Sequence, residues 1–260
     1  MKKKALLLLA SLALVTTLAV NGTLAQTLTK AIDGFFELVN GELAQRNTSE
    51  LAVSLVTRDK SGTSTENNKP MLYPAHYTQQ SLSPTEVEVQ RSGYTYNLWN
   101  TREVNGIAEQ FVSVKNIAKK DAYLLIAIAV KDDDNAKQIL RSNISVPGEN
   151  ISVPGENEAV FTMLPPTSVT INNSQYTMQV YLYNDILVQG TESPAIAVQM
   201  AITKDAGNEQ MARLGHDFLQ IKVVAIDADA DAFKTDGVRL GAVSALKQAI
   251  DLDNNFNPFN

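Results

Sequence analysis

Beyond residue 50 the apolar side chains fall at every second position over many short stretches, and this alternation is what most narrows the fold. Leu51, Val53 and Leu55 alternate with Ala52, Ser54 and Val56, and Val87 and Val89 with Glu86, Glu88 and Gln90. Val112 and Val114 sit in Phe111-Val-Ser-Val-Lys115. Tyr176, Met178, Val180 and Leu182 form a later stretch, as do Ile196, Val198, Met200 and Ile202, and then Leu219, Ile221, Val223 and Ala225. A period of two places such residues on one face of a half-buried strand. Tyr123 to Val130 is a continuous apolar run, which suits a central strand covered on both faces. Many short strands separated by turn-rich segments predict an all-β chain, an antiparallel sandwich or jelly roll.

With 44% hydrophobic and 19% charged residues the chain can bury a core, and it lacks the composition of a disordered one. It has no cysteine. Disulfides, thiol catalysis and thiolate zinc sites are therefore excluded, and burial alone must hold the fold. The formal net charge of −6 argues against a nucleic-acid partner, which needs a basic face.

The first residues have the grammar of a secretory leader. Met1-Lys-Lys-Lys4 is basic, and Ala5 to Val20 is apolar apart from Ser11, Thr16 and Thr17. Asn21-Gly22 then breaks the helix, and Thr23-Leu24-Ala25 supplies small residues for cleavage between Ala25 and Gln26. The apolar run is short for a bilayer span, which needs roughly 20 residues. Residues 1–25 are expected to be removed. Loss of three lysines moves the formal charge from −6 to −9, so no stable membrane association is expected after cleavage.

Residues 26–50 form a separate N-terminal segment ahead of a domain at 51–260. Ile32, Phe35, Phe36, Val39 and Leu43 recur at helical spacing, while Gly34 and Gly41 weaken a helix. The segment reads equally as an amphipathic helix on its own domain or as an extended strand ordered against a partner. Residues 58–85 and 132–157 read as loop insertions. The second contains Ile144-Ser-Val-Pro-Gly-Glu-Asn150 followed at once by an identical heptapeptide, 151–157. One such duplication is a tolerated surface insertion, not a repeat architecture. Leu240, Val243, Leu246 and Ile250 predict a C-terminal helix near 238–251.

No catalytic constellation is recognisable, and no enzymatic activity is expected. His76 and His216 lie in polar stretches outside any H-E-x-x-H motif. There is no G-x-S-x-G elbow, Walker loop or dinucleotide fingerprint. Asp227, Asp229 and Asp231 alternate, and on an extended strand they would share one face, as calcium ligands could. As an EF-hand loop the stretch fails, with Ala232 and Val238 where Gly and Glu belong. A solvated strand end is the expectation, and no cofactor is expected. Tyr94, Tyr96, Trp99, Tyr176, Tyr181 and Tyr183 could form a carbohydrate platform, but sheets use aromatics for cross-strand packing.

Four blocks, in order, resemble one family. They are the Lys2–Lys4 leader ending Gly22-Thr-Leu-Ala25; Phe111-Val-Ser-Val-Lys-Asn-Ile-Ala-Lys-Lys-Asp-Ala-Tyr123; Tyr181-Leu-Tyr-Asn-Asp-Ile-Leu187 through Gly190-Thr-Glu-Ser-Pro194; and Ile221-Lys-Val-Val-Ala-Ile-Asp-Ala-Asp-Ala-Asp231. Together they resemble the TasA/camelysin-like proteins of Gram-positive bacteria. Departures are Gln26-Thr-Leu-Thr-Lys30 after the cleavage site, Ala118 where Gly is common, and the duplicated heptad. The resemblance implies a leader of the SipW type cut by a dedicated signal peptidase, and a jelly-roll domain exported to the cell surface or biofilm matrix. In fibre-forming relatives the freed N-terminal segment adds as a strand to the next subunit. Here residues 26–57 would supply that strand, with Leu28, Ile32, Phe35 and Phe36 as anchors.

The expectation is thus a secreted structural protein that self-associates into extracellular fibres by strand donation. It has a jelly-roll-like antiparallel β-sandwich with a short C-terminal helix and an N-terminal helix or donor strand. The alternatives are a monomeric surface adhesin, with aromatics exposed near Trp99, and a secreted metalloprotease. The camelysin resemblance implies the latter and the absent zinc motif opposes it.

Overall fold

A computed structural model describes residues 53–58, 64–66, 75–76, 86–99, 108–148, 159–203, 206–215, 217–252 and 256–259. The leader, the cleavage site Ala25–Gln26 and the anchors Leu28, Ile32, Phe35 and Phe36 lie outside them, as do His216 and the second copy of the heptad.

The protein is an all-β antiparallel sandwich of jelly-roll type, backed by a C-terminal helix. One sheet has the order β2 (Ser64–Glu66), β1 (Val53–Arg58), β6 (Ala108–Asn116), β12 (Ile196–Ile202), with β8 (Leu140–Ser145) also on β12. A two-residue strand, β3 (Ala75–His76), runs parallel to the end of β12. The other sheet has the order β10 (Thr167–Ile171), β11 (Ser174–Tyr183), β7 (Ala122–Lys131), β13 (Leu219–Asp227), with β9 (Phe161–Met163) beside the far end of β11. Successive long strands cross between sheets. β6 leads to β7 in the opposite sheet, β7 returns to β8, β11 crosses to β12, and β12 crosses to β13. The resulting pairs β6–β12, β12–β8, β11–β7 and β7–β13 are the interlocked pairings of a jelly roll. One strand departs from a closed roll: β1 pairs with β6 and not with the last long strand, β13.

Burial follows the alternation. Val112, Val114, Ile196, Val198, Ile221 and Val223 point into the space between the sheets. β7 is covered on both faces, as its continuous apolar run predicts. Leu124, Ile126 and Ile128 enter the inter-sheet core, while Tyr123, Leu125 and Ala127 lie in a second core. Helix α3 (Ala242–Leu252), expected near 238–251, closes that second core with Ala245 and Leu246. The apolar face of β11, Tyr176 to Leu182, therefore packs toward the helix side and not between the sheets.

The stretch 132–157 is not simply a loop. Asp133 caps helix α1 (Asp134–Ile139) by accepting the Ala136 amide at 2.8 Å, and β8 follows directly. The apolar residues that stand among its charges, Ala136, Ile139 and Leu140, are all buried. The first heptad copy begins inside β8 at Ile144, and Val146 is buried as well. A second short helix, α2 (Asn208–Leu214), joins β12 to β13.

The hairpin β4 (Glu86–Arg91)–β5 (Tyr94–Trp99) turns at Ser92-Gly93, and a small hairpin, β14 (Lys234–Thr235)–β15 (Val238–Arg239), turns at Asp236-Gly237. Both turn residues have positive φ in each case, as does Asn172-Asn173 between β10 and β11. These are the backbone angles of tight two-residue hairpins.

Candidate functional site

Three of the four sequence blocks, 111–123, 181–194 and 221–231, meet at one pole of the sandwich. Asn116, at the end of β6, is fully buried. Its side-chain amide donates to the carbonyls of Lys120 at 2.9 Å and Leu187 at 2.8 Å, and its side-chain oxygen accepts the Ala118 amide at 3.0 Å. Its backbone N–H donates to Thr191 O, and its carbonyl accepts Gly190 N–H. One side chain thus ties the β6–β7 turn to the loop after β11. Asn suits this position because it offers two donors and an acceptor without charge. Leu187 exchanges backbone bonds with Ala122, and Ser193 does so with Val114 through its amide and hydroxyl. The Ser113 hydroxyl donates to Glu192.

Ion pairs finish the pole. The Arg239 guanidinium meets Asp229 through two bonds of 2.9 and 2.8 Å and reaches Asp121 at 3.1 Å. Hydrogen bonds to Asp229 and Asp121 hold its proton more firmly than usual. The other Asp121 oxygen accepts the Gln189 amide. Lys120 pairs with Asp227 at 2.9 Å, and Lys234 lies 3.5 Å from Asp231. The Tyr123 hydroxyl donates to Leu240 O at 2.7 Å, and burial pushes its proton affinity up, with Arg239 working against that rise.

Asp227, Asp229 and Asp231 therefore do not share one face of a strand. β13 ends at Asp227, Asp229 lies in the following turn, and Asp231 opens a 3-10 turn, Asp231–Phe233. Each carboxylate faces its own basic side chain. Among the described residues no group of three or more His, Asp or Glu side chains gathers as a metal site. This geometry can clamp loops together.

The opposite pole has its own tie. Lys131, nearly buried, donates to Leu214 O at 3.0 Å and to Asp217 at 3.2 Å. The Tyr176 hydroxyl donates to the other Asp217 oxygen at 2.9 Å. Burial works to raise the Asp217 proton affinity, but the bonds from Tyr176 and Lys131 outweigh it and hold the carboxyl below its usual range.

The aromatics belong to packing. The β4–β5 hairpin lies on the outer face of the first sheet, where Gln199 reads its edge strand. Gln199 accepts the Trp99 amide at 2.7 Å and the Asn143 side-chain amide, and donates to Trp99 O and to the Glu109 carboxylate. Asn97 N–H donates to Ser145. Tyr96 stacks edge-on against Phe111, with ring centroids 5.4 Å apart, and donates to Ala195 O. Burial pushes its phenol up to about 12. Trp99 is covered, so the exposed aromatic that the adhesin alternative needs at that residue is absent.

Sequence reasoning had Asn116 and Asp121 within a quoted block without assigning them a task, and it missed Arg239, Lys131 and Gln199. A polar residue inside a wholly buried strand, as Gln199 is in β12, was the available signal. No helix among the described residues is long and apolar enough to cross a membrane. Comparisons with family models, curated proteins and solved structures give no match for the chain.

Proposed function

We propose that the protein is an exported structural subunit that builds extracellular fibres, residues 26–52 of one copy adding as a strand to the sheet edge of the next. The observation that supports this is β13. It is nine residues long, and among the described residues it pairs only with β7. Its second edge is where a closed jelly roll would receive the first strand, and β1 is engaged elsewhere, with β6. An edge strand leaves N–H and C=O groups that an added strand satisfies. Because Val53–Arg58 already pairs within its own sheet, the donor stretch narrows from 26–57 to 26–52. A donor on one surface and an acceptor on another make a contact that repeats without closing, which yields filaments.

The test compares the chain starting at Gln26 with one starting at Val53, by electron microscopy and sedimentation. The longer chain polymerises and the shorter stays monomeric. If both remain monomers at high concentration, the reading fails.

A further inference from the structure

Three of the four large apolar side chains that stand exposed among the described residues belong to the pole built around Asn116. Ile117 is 50% exposed, Val188 50% and Val238 70%. Ile117 follows Asn116 in the β6–β7 turn. Val188 adjoins Leu187, whose carbonyl Asn116 holds. Val238 precedes Arg239, which reaches Asp121 in the same turn. The loops that carry these side chains are clamped by the bonds of Asn116 and Arg239, so the pole presents exposed apolar groups on held backbone.

The chain itself supplies a segment suited to that site. Val53 is the register partner of Asn116, so the 52 residues before β1 enter the domain at this pole. Residues 30–45 carry Ile32, Phe35, Phe36, Val39 and Leu43 at helical spacing, a face about 17 Å long when helical. The seven residues 46–52 can span up to about 25 Å, enough to turn the segment back over the pole.

We propose that residues 30–45 dock, in the same chain, on the Ile117–Val188–Val238 pole. The contact stands apart from strand donation, because a donated segment lies on another copy. Where both occur, undocking precedes donation. Tethering gives the segment a local concentration near the millimolar range, so a small apolar contact suffices to hold it.

The test uses the absence of cysteine, since two introduced thiols are then the only ones. In the chain starting at Gln26, Phe35→Cys is combined with Val188→Cys, and Phe36→Cys with Ile117→Cys. Gln175→Cys, exposed at the opposite pole, serves as the control partner for Phe35→Cys. All three domain positions are at or near the surface, and unchanged melting curves verify folding. After mild oxidation of dilute protein, at least one pole pair forms an intramolecular disulfide, in yield about tenfold above the control. Intermolecular disulfides alone, yields equal to the control, or no disulfide in either pole pair would overturn the proposal. Dilution keeps the protein monomeric during oxidation, so these results are read apart from fibre formation.

Discussion

Asn116→Ala removes three hydrogen bonds at a fully buried position: those to Lys120 O, Leu187 O and Ala118 N–H. Leu187 O keeps a second partner, Ala122 N–H, at 3.0 Å, while the buried Ala118 amide loses its side-chain acceptor. At about 1 kcal/mol for each bond, and more where a buried group goes unsatisfied, the loss is about 3 kcal/mol. In a domain of this size that lowers the melting temperature by about 6–12 °C. Asn116→Asp is the sharper variant. It keeps the shape but turns a carboxylate toward two carbonyl oxygens, which raises its folded pKa above an unfolded value of about 3.9. In acid the protonated Asp keeps one donor and one acceptor, so it loses less than the Ala variant, and its deficit grows as the pH rises from about 3.9 through the raised folded pKa. Urea unfolding followed by the fluorescence of Trp99, the lone tryptophan, measures both. A loss under about 1 kcal/mol for Asn116→Ala, or a pH-independent Asp variant, would show that the pole is not held by this side chain.

Three further outcomes follow from the other ties. Gln199→Ala frees the β5 backbone from the first sheet, at about 2–4 kcal/mol for a buried side chain with four partners, and shifts Trp99 emission to the red. Asp217 has a depressed folded pKa, so the stability it contributes is present above its unfolded value of 3.8 and is lost as the pH falls toward the folded one. In Asp217→Asn that acid limb flattens, as urea midpoints taken from about pH 5 down to about pH 2 would show. Arg239→Ala breaks partly exposed ion pairs and is expected to lower stability by no more than about 1 kcal/mol, with the difference shrinking in high salt.

The long strands were legible because burial of a face records period two directly, whereas β8, in 132–157, and β2 and β3, in 58–85, lie in stretches that read as loops. The C-terminal helix was legible for the matching reason at period 3.6. Two kinds of feature were hidden. Helix α1 is only six residues long, too short for its two buried side chains, Ala136 and Ile139, to establish a period among the charges around them. The poles were hidden because they are made by topology. Asn116 meets Leu187 across 71 residues, and Asp121 meets Arg239 across 118, separations that no local spacing encodes. The aspartates at 227, 229 and 231 looked like a set because their spacing assumed an extended strand. The turn after Asp227 sends them to different partners.

The placement of these ties bears on how such a molecule can associate. A jelly roll carries its crossing connections at the two ends of the sandwich, and without cysteine no disulfide can hold them. Here neutral amide bonds and ion pairs take that task, Asn116 and Arg239 at one end and Lys131 with Asp217 at the other. Loops fixed this way use up their backbone hydrogen-bonding groups. What stays available to another chain is the strand edge, with β13 the longest among the described strands that pair on one side only. Its central Lys222 is the kind of residue that discourages edge-to-edge pairing between mature domains.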